Sequence, residues 1–409
     1  MKLTFVSNYI NHHQIPLADR LYEELGENYH FIQTMPMETE RVAMGWGVDA
    51  ARIPYIKLFY EEESACRQLI MESDIVVFGG VEDESYIEER LRMGKPVIRY
   101  SERIYREGQW KVVSPRGLRK KYHDHIRYRK APVYLLCAGA YVASDFALIK
   151  AYPGKKYCFG YFPKFKEQNM EQLMERKRER REKTGKVRLL FAARFLPLKH
   201  PEYPVHLAAA LKAEGIAFEL FMIGDGEEKN AILSEINNMG LEKEIRLLGF
   251  LSPEEVRKQM EEADIFLFTS DYREGWGAVV NEAMNSGCAL IAGHGIGAVP
   301  YLLKDGENGC VYRTGDEKEF IRAGKKLVKD REKTEQFGRA SYRRIQGEWN
   351  EKAAAERLLG LCRGILSGKI TPPLSGPCSK APVISPRKGY RYMKKNGRQD
   401  THREMPENG

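Results

Sequence analysis

Runs of β-branched and aromatic residues punctuate the first half of the chain: Lys2 to Ser7, Tyr29 to Thr34, Asp74 to Gly79, Pro96 to Ser101 and Pro132 to Ala138. Between them lie stretches of helical period such as Ile15 to Leu25, where Leu17, Leu21 and Leu25 recur every four residues. Near-continuous apolar strands alternating with helices predict a parallel sheet covered on both faces. The pattern restarts with Val187 to Ala193, Ala217 to Gly224, Glu244 to Phe250, Ile265 to Ser270 and Ala289 to Gly293. Two consecutive doubly wound α/β domains follow, residues 1–163 and 187–348, joined by a charged linker or surface helix at 164–186 (MERKRERREKTGK at its heart). Ligands of such sheets sit beyond the carboxyl ends of the strands, so chemistry is expected in a cleft between the halves. Trp349 to Leu366 reads as a terminal amphipathic helix. Residues 367–409, with Pro372, Pro373, Pro377, Pro382 and Pro386 among Ser, Gly and Lys, read as a disordered basic tail.

Charge sharpens this picture more by placement than by amount. Lys and Arg number 66 against 57 Asp and Glu, a net +9. Ser367 to Gly409 holds nine basic and three acidic residues, and Arg103 to Lys130 ten basic and two acidic, so the rest is mildly acidic. Seven cysteines without a C-x-x-C pair suggest neither a disulfide framework nor a zinc knuckle, and a reducing compartment is the simplest reading. The apolar run at the N-terminus ends at Val6, too short for a signal-peptide core. The uncharged stretch Ala131 to Ser144 is too short for a membrane span, and Asn285 to Leu303 is broken by Gly293, Gly295, Gly297 and Pro300. A cytoplasmic protein is expected.

The block Ser270 to Gly287 (SDYREGWGAVVNEAMNSG) directly follows an apolar strand and carries the richest chemistry. Glu274 and Glu282 flank a helix start built from Gly275, Trp276 and Gly277. Glycines there permit close backbone approach, and a helix start favours phosphate. Glu282 could accept two hydrogen bonds from a vicinal diol such as a ribose. Two carboxylates eight apart also arise by chance in a chain this rich in Glu; it is the position after a strand that gives the pair meaning.

The block closely resembles the E-x7-E segment of GT-B fold glycosyltransferases, specifically glycosyltransferase family 4, whose members are retaining enzymes that use nucleotide-sugar donors. FAARFLPLKHPEYPVHLAAAL (Phe191 to Leu211) resembles the family's G-R-x-x-x-x-K-G segment, with Ala193 and His200 in place of the glycines. The resemblance implies that Arg194 and Lys199 bind the donor diphosphate and that the two domains are Rossmann-like. FELFMIGDGEEK resembles the next strand and its G-x-G turn, which places Gly224 near the donor. The resemblance runs from about Val187 to Leu366. Cations that grip the departing diphosphate more tightly in the transition state lower the barrier, which gives Arg194 and Lys199 catalytic positions, and the E-x7-E resemblance adds Glu274 as the third catalytic candidate. Ser270, Gly275, Trp276, Gly277, Glu282 and Gly295 are the further donor-binding candidates. Tyr301 stands where the family's G-G-x-P-E has its Glu. No D-x-D occurs, so no divalent metal or other cofactor is expected.

The N-terminal half resembles the family more weakly. Asn11, His12 and His13 follow the first strand, and Glu102 and Arg103 end another, which makes them acceptor-side candidates. CFGYFPKF (Cys158 to Phe165) resembles the hinge of a bacterial subgroup of surface-polysaccharide enzymes. The reading is a glycosyltransferase acting on a glycan or lipid-linked acceptor, with peripheral contact to anionic membrane through the basic run 116–130. A catalytically silent glycan- or partner-binding subunit is the alternative. Nucleic-acid binding, which basic runs interleaved with Tyr can also serve, is not expected.

Overall fold

The computed structural model describes residues 1–39 and 47–399, which form two compact units. The first comprises Met1–Lys164 and Glu348–Ile384, the second Phe165–Gly347 and the chain from Ser385 onward.

The first unit holds a seven-stranded, all-parallel sheet: β1 (Leu3–Ser7), β2 (Tyr29–Gln33), β3 (Ile56–Leu58), β4 (Ile75–Gly79), β5 (Val97–Ser101), β6 (Val133–Ala138) and β7 (Lys156–Phe159), in the order β3-β2-β1-β4-β5-β6-β7. Every residue of β1 and β4 is buried, as sheets covered on both faces require. Helix Ile15–Leu25 buries Leu17 and Leu21 and packs against helix Glu351–Ser367, whose first turn is capped by the Asn350 side chain accepting from Ala353 N at 2.9 Å.

The second unit repeats the plan with six parallel strands: β8 (Val187–Ala192), β9 (Phe218–Ile223), β10 (Ile245–Gly249), β11 (Ile265–Phe268), β12 (Ala289–Gly293) and β13 (Gly309–Tyr312), ordered β10-β9-β8-β11-β12-β13. Both orders reverse direction beside the first strand of their unit, which is where doubly wound sheets open a crevice for ligands. Strands β3, β7 and β13, absent from the apolar pattern, are three or four residues long and all lie at sheet edges, too short to stand out as apolar runs.

Two expectations change. The charged linker is helix Met170–Thr184, part of the second unit, and its inner stripe is Leu173, Met174, Lys177 and Arg181. Two of those four are basic, so the stripe reads as solvent-facing in sequence. Lys177 is 2% exposed and spends its three N–H bonds on the carbonyls of Ala263, Ser286 and Gly287, at 2.6, 3.0 and 3.0 Å. Arg180 and Arg181 converge on Asp264, Arg181 at 2.7 Å.

The tail expected to be disordered is ordered as far as it is described. Cys378 N donates to Cys158 O at 2.7 Å, Cys158 N to Ser379 O at 2.8 Å, and Ala381 N to Lys156 O at 3.0 Å, so the segment covers the open edge of β7. Cys378 and Ile384 are buried there. Helix Pro386–Gln399 then packs on the second unit, with Met393 buried and Lys394 Nζ 2.7 Å from Asp305. Backbone pairing with an edge strand needs little hydrophobicity, which is why composition missed it.

Candidate functional site

In the second unit the crevice lies beyond the ends of β8 and β11, and four loops converge on it. After β8 the chain runs through Ala193 and Arg194 to Lys199, and Ala193 N donates to Ile223 O at 3.0 Å. Gly224, just beyond β9, has φ +136, and a Cβ there would stand 1.9 Å from Ala193 O, so only glycine fits between these loops. After β11, Thr269 Oγ1 donates to Lys199 O at 2.6 Å and Asp271 N to Leu198 O at 2.9 Å, which ties the Lys199 loop to the Ser270–Gly277 loop. The loop after β12 completes the set, Gly297 N donating to Gly275 O and Ala298 N to Trp276 O, both at 3.0 Å.

Arg194 is exposed at this rim, and its guanidinium has no hydrogen bond or ion pair among the described residues. Lys199, one of the two cations expected at the diphosphate, pairs with Glu274. Helix Val279–Asn285 begins two residues after Gly277 and carries Glu282 about one turn in, half-buried. Burial raises the Glu282 carboxyl above the ordinary glutamate range, while Arg257 pulls it down. Ser270 is 1% exposed, and its Oγ is buried without a partner, an arrangement that bound ligand or water would relieve. Gly277, at φ +82, sits where a Cβ would press on Phe268 at 2.6 Å.

Trp276 plays a different part from the one expected. Its indole is 1% exposed and its Nε1–H donates to Asn281 Oδ1 at 2.9 Å, so it fixes the loop from within. Residues that the sequence reading passed over support Gly295. Thr314 N donates to His294 Nδ1 at 3.0 Å, and burial lowers the His294 pKa to about 4. The neutral ring therefore keeps its proton on Nε2 and donates it to the Tyr272 hydroxyl at 2.9 Å. Gly295 N in turn donates to Thr314 Oγ1 at 2.7 Å. The histidine between glycines after a strand was the available signal. His200, in place of a family glycine, adopts φ +48, held by Glu202 at 2.7 Å on Nδ1 and by stacking on Tyr203.

The first unit has its own cavity, about 830 Å³, at the carboxyl ends of β1, β4, β5 and β6. Asn11, Glu102 and Arg103 line it, whereas His12 and His13 lie outside its lining. Burial, and secondarily His12, lower the His13 pKa to about 3, so this ring is neutral. Arg103 is committed to a buried ion pair with Asp145 at 3.2 Å, which makes it a structural member of the wall. Glu102 pairs with Arg106 and accepts from the Tyr161 hydroxyl at 3.1 Å. Among the described residues no group of three His, Cys, Asp or Glu could hold a metal ion, and no helix is long and apolar enough to cross a membrane.

Two doubly wound units, the second with four loops gathered at its switch point, define a GT-B fold. Solved structures agree: Anabaena HepE in complex with UDP superposes with a TM-score of 0.65 over 88% of this chain and 98% of its own at 14% identity, and a glycosyltransferase from Rickettsia africae with 0.62 over 90% and 99% at 13% identity. Residues 174–344 match the family model Glycosyl transferases group 1. Among curated proteins it is 25% identical over 276 residues to alpha-D-kanosaminyltransferase of Streptomyces kanamyceticus, covering 67% of this chain and 65% of that one. It is 25% identical over 142 residues to the lipopolysaccharide core biosynthesis glycosyltransferase LpsE of Rhizobium meliloti, covering 35% and 41%. The matches thus span less than two thirds of those relatives' own length.

Proposed function

We propose that the protein transfers a sugar, with retention of configuration, from a nucleotide-sugar donor to a glycan or lipid-linked acceptor in the assembly of a cell-surface polysaccharide. The observation that carries this is the set of loops beyond β8 and β11 in the second unit, where exposed Arg194, the Lys199–Glu274 pair and half-buried Glu282 stand on loops and a helix start held closely together by glycines. Solved structures of HepE with UDP and with UDP-glucose favour a uridine donor. Relatives named for lipopolysaccharide core and amylovoran biosynthesis favour the polysaccharide setting.

In this reading Glu282 accepts the ribose hydroxyls, and Arg194 and Lys199 face the diphosphate. As the bond from the anomeric carbon to the leaving phosphate oxygen breaks, negative charge grows on the diphosphate, and the two cations stabilise it more than in the ground state. The acceptor hydroxyl attacks the anomeric carbon from the same face and passes its proton to the leaving diphosphate. Glu274 holds the Lys199 ammonium in place until the phosphate competes for it. No divalent ion is required, since two protein cations neutralise the leaving group.

A panel of UDP, GDP and ADP, read by thermal shift in excess EDTA, tests this. One nucleotide is expected to raise the midpoint of unfolding. A shift seen only after magnesium is restored would assign the diphosphate to a metal, and no shift from any nucleotide in either buffer would favour the silent subunit.

Peripheral membrane contact through 116–130 is part of the proposal. Trp110, Val113, Leu118 and Tyr122 are 70, 74, 37 and 59% exposed and interleave with exposed Arg116 and Arg119. Aromatic and aliphatic side chains among basic ones suit an anionic bilayer interface.

A further inference from the structure

The cavity of the first unit carries charges whose pairing is uneven. Glu84 holds Arg99 with both carboxylate oxygens, at 2.7 and 2.6 Å, Asp145 holds Arg103, and Glu102 holds Arg106. Lys120 stands 3.9 Å from Glu82, a side chain 96% exposed. Lys121 is different. It lines the same cavity, half-buried, yet among the described residues its ammonium has neither a hydrogen bond nor an ion pair. Asp124, one turn on in helix Pro115–Asp124, is turned to His123 Nδ1 at 3.4 Å. Burial lowers the Lys121 pKa, with Asp124, Glu82 and Glu84 opposing and Lys120 adding to the fall.

A second donor is orphaned in this wall. Arg99 is 4% exposed and lines the cavity, and its buried Nε–H has no partner among the described residues, although its two terminal nitrogens are satisfied. Arg99 and Lys121 share Glu84, Asp124 and His125 as electrostatic neighbours. His125 offers no compensating acceptor of charge, because burial, Arg99, Lys121 and Lys120 keep it neutral, and its Nδ1 is engaged with the Tyr152 hydroxyl at 3.0 Å. Gly80, which also lines the cavity, has φ +76, and a Cβ there would stand 2.7 Å from Ser7 Oγ, so the wall at this point is closely packed. A half-buried ammonium whose carboxylate neighbours make no hydrogen bond to it gains from an anion that does, and a neutral sugar would supply no such charge.

We propose that this cavity is an oxyanion subsite in which Lys121, with the Nε–H of Arg99, grips a phosphate or carboxylate carried by the acceptor. The word acceptor rests on the transferase reading above; the anion site itself does not. The group could be the phosphate of a lipid carrier or the carboxylate of an acidic sugar, and the test separates the two.

The experiment titrates the full chain with methyl phosphate, methyl glucuronide and neutral methyl glucoside, following backbone amides of Gly80, Ser101 and Lys121 by nitrogen-15 TROSY spectra. At least one anion is expected to give saturable shifts at these amides, and the glucoside none. Lys121→Met should weaken that binding by on the order of tenfold, the loss of one charged hydrogen bond, and Lys121→Arg should restore most of it. Response to phosphate alone identifies a carrier phosphate, and response to the glucuronide an acidic sugar. Absence of shifts with both anions, or equal binding by Lys121→Met, would overturn the proposal. A nucleotide titration of the same samples, read at Ser270 and Gly295, tests the transferase reading separately.

Discussion

Replacing Lys177 by Met keeps the length of the side chain and deletes the ammonium that joins three carbonyls. Those carbonyls belong to Ala263, which leads into β11, and to Ser286 and Gly287, which end the helix bearing Glu282. Two effects compete. Removing a buried ammonium relieves its desolvation, and hydrophobic replacement of whole buried ionic clusters can be neutral or stabilising. Here only one side of the cluster is removed, and each buried group left without a partner costs about 1 to 3 kcal/mol. Ala263 O loses the shortest bond but keeps a weak contact from the Cys288 thiol at 3.6 Å, while the other two carbonyls each lose a charge-assisted bond of 3.0 Å. A net loss of about 3 kcal/mol follows, or roughly 6 to 12 °C in the unfolding midpoint for a unit of this size. Calorimetry of wild type and Lys177→Met measures it, and nucleotide affinity should fall as well, because the Glu282 helix loses its tether to β11. A variant as stable as wild type would refute the argument, since desolvation would then outweigh the three bonds.

Three further outcomes are expected. Glu282→Ala and Arg194→Ala should each weaken binding of the matched nucleotide by about tenfold to a hundredfold, the value of a charged hydrogen bond; unchanged affinity in both folded variants, measured by titration calorimetry, would remove the site assignment. Truncation after Leu366 uncovers the β7 edge and removes buried Ile384 and Met393, each worth roughly 1.5 to 3 kcal/mol, so the midpoint should drop by several degrees; an unaltered midpoint would mean that the tail is not part of the fold. The combined change Arg116→Gln and Arg119→Gln should lower partitioning onto anionic vesicles by about thirtyfold at low salt, at about 1 kcal/mol per charge, and equal sedimentation would exclude the membrane contact.

The sequence disclosed the parts of the molecule that burial dictates continuously. Strand IFLFT is legible because all four residues of β11 are buried, and the loop after it is legible because glycines and carboxylates follow immediately. What escaped was decided by tertiary placement. Lys177, Arg180 and Arg181 look like solvent charges until Asp264 and three carbonyls are brought beneath them. Trp276, placed between two glycines, reads as a ligand platform, yet its Nε1–H is taken by Asn281 inside the loop. Arg103 stands at a strand end as a substrate-binding arginine would, but its partner Asp145 is 42 residues away and no spacing announces it. Lys121 was read with the membrane-facing run, and only the fold turns it into the cavity.

In the proposed reaction the crevice around Arg194, Lys199, Glu274 and Glu282 cleaves a nucleotide-sugar. Release of nucleoside diphosphate from a panel of UDP, GDP and ADP sugars, with and without membrane extract as a source of acceptor, tests it most directly. Release from one donor class, stimulated by the extract, is expected, with a fall of about two orders of magnitude or more when the two cations are removed together in Arg194→Ala/Lys199→Ala. Release at the wild-type rate by that double variant, or none by wild type from any donor with extract present, would contradict it.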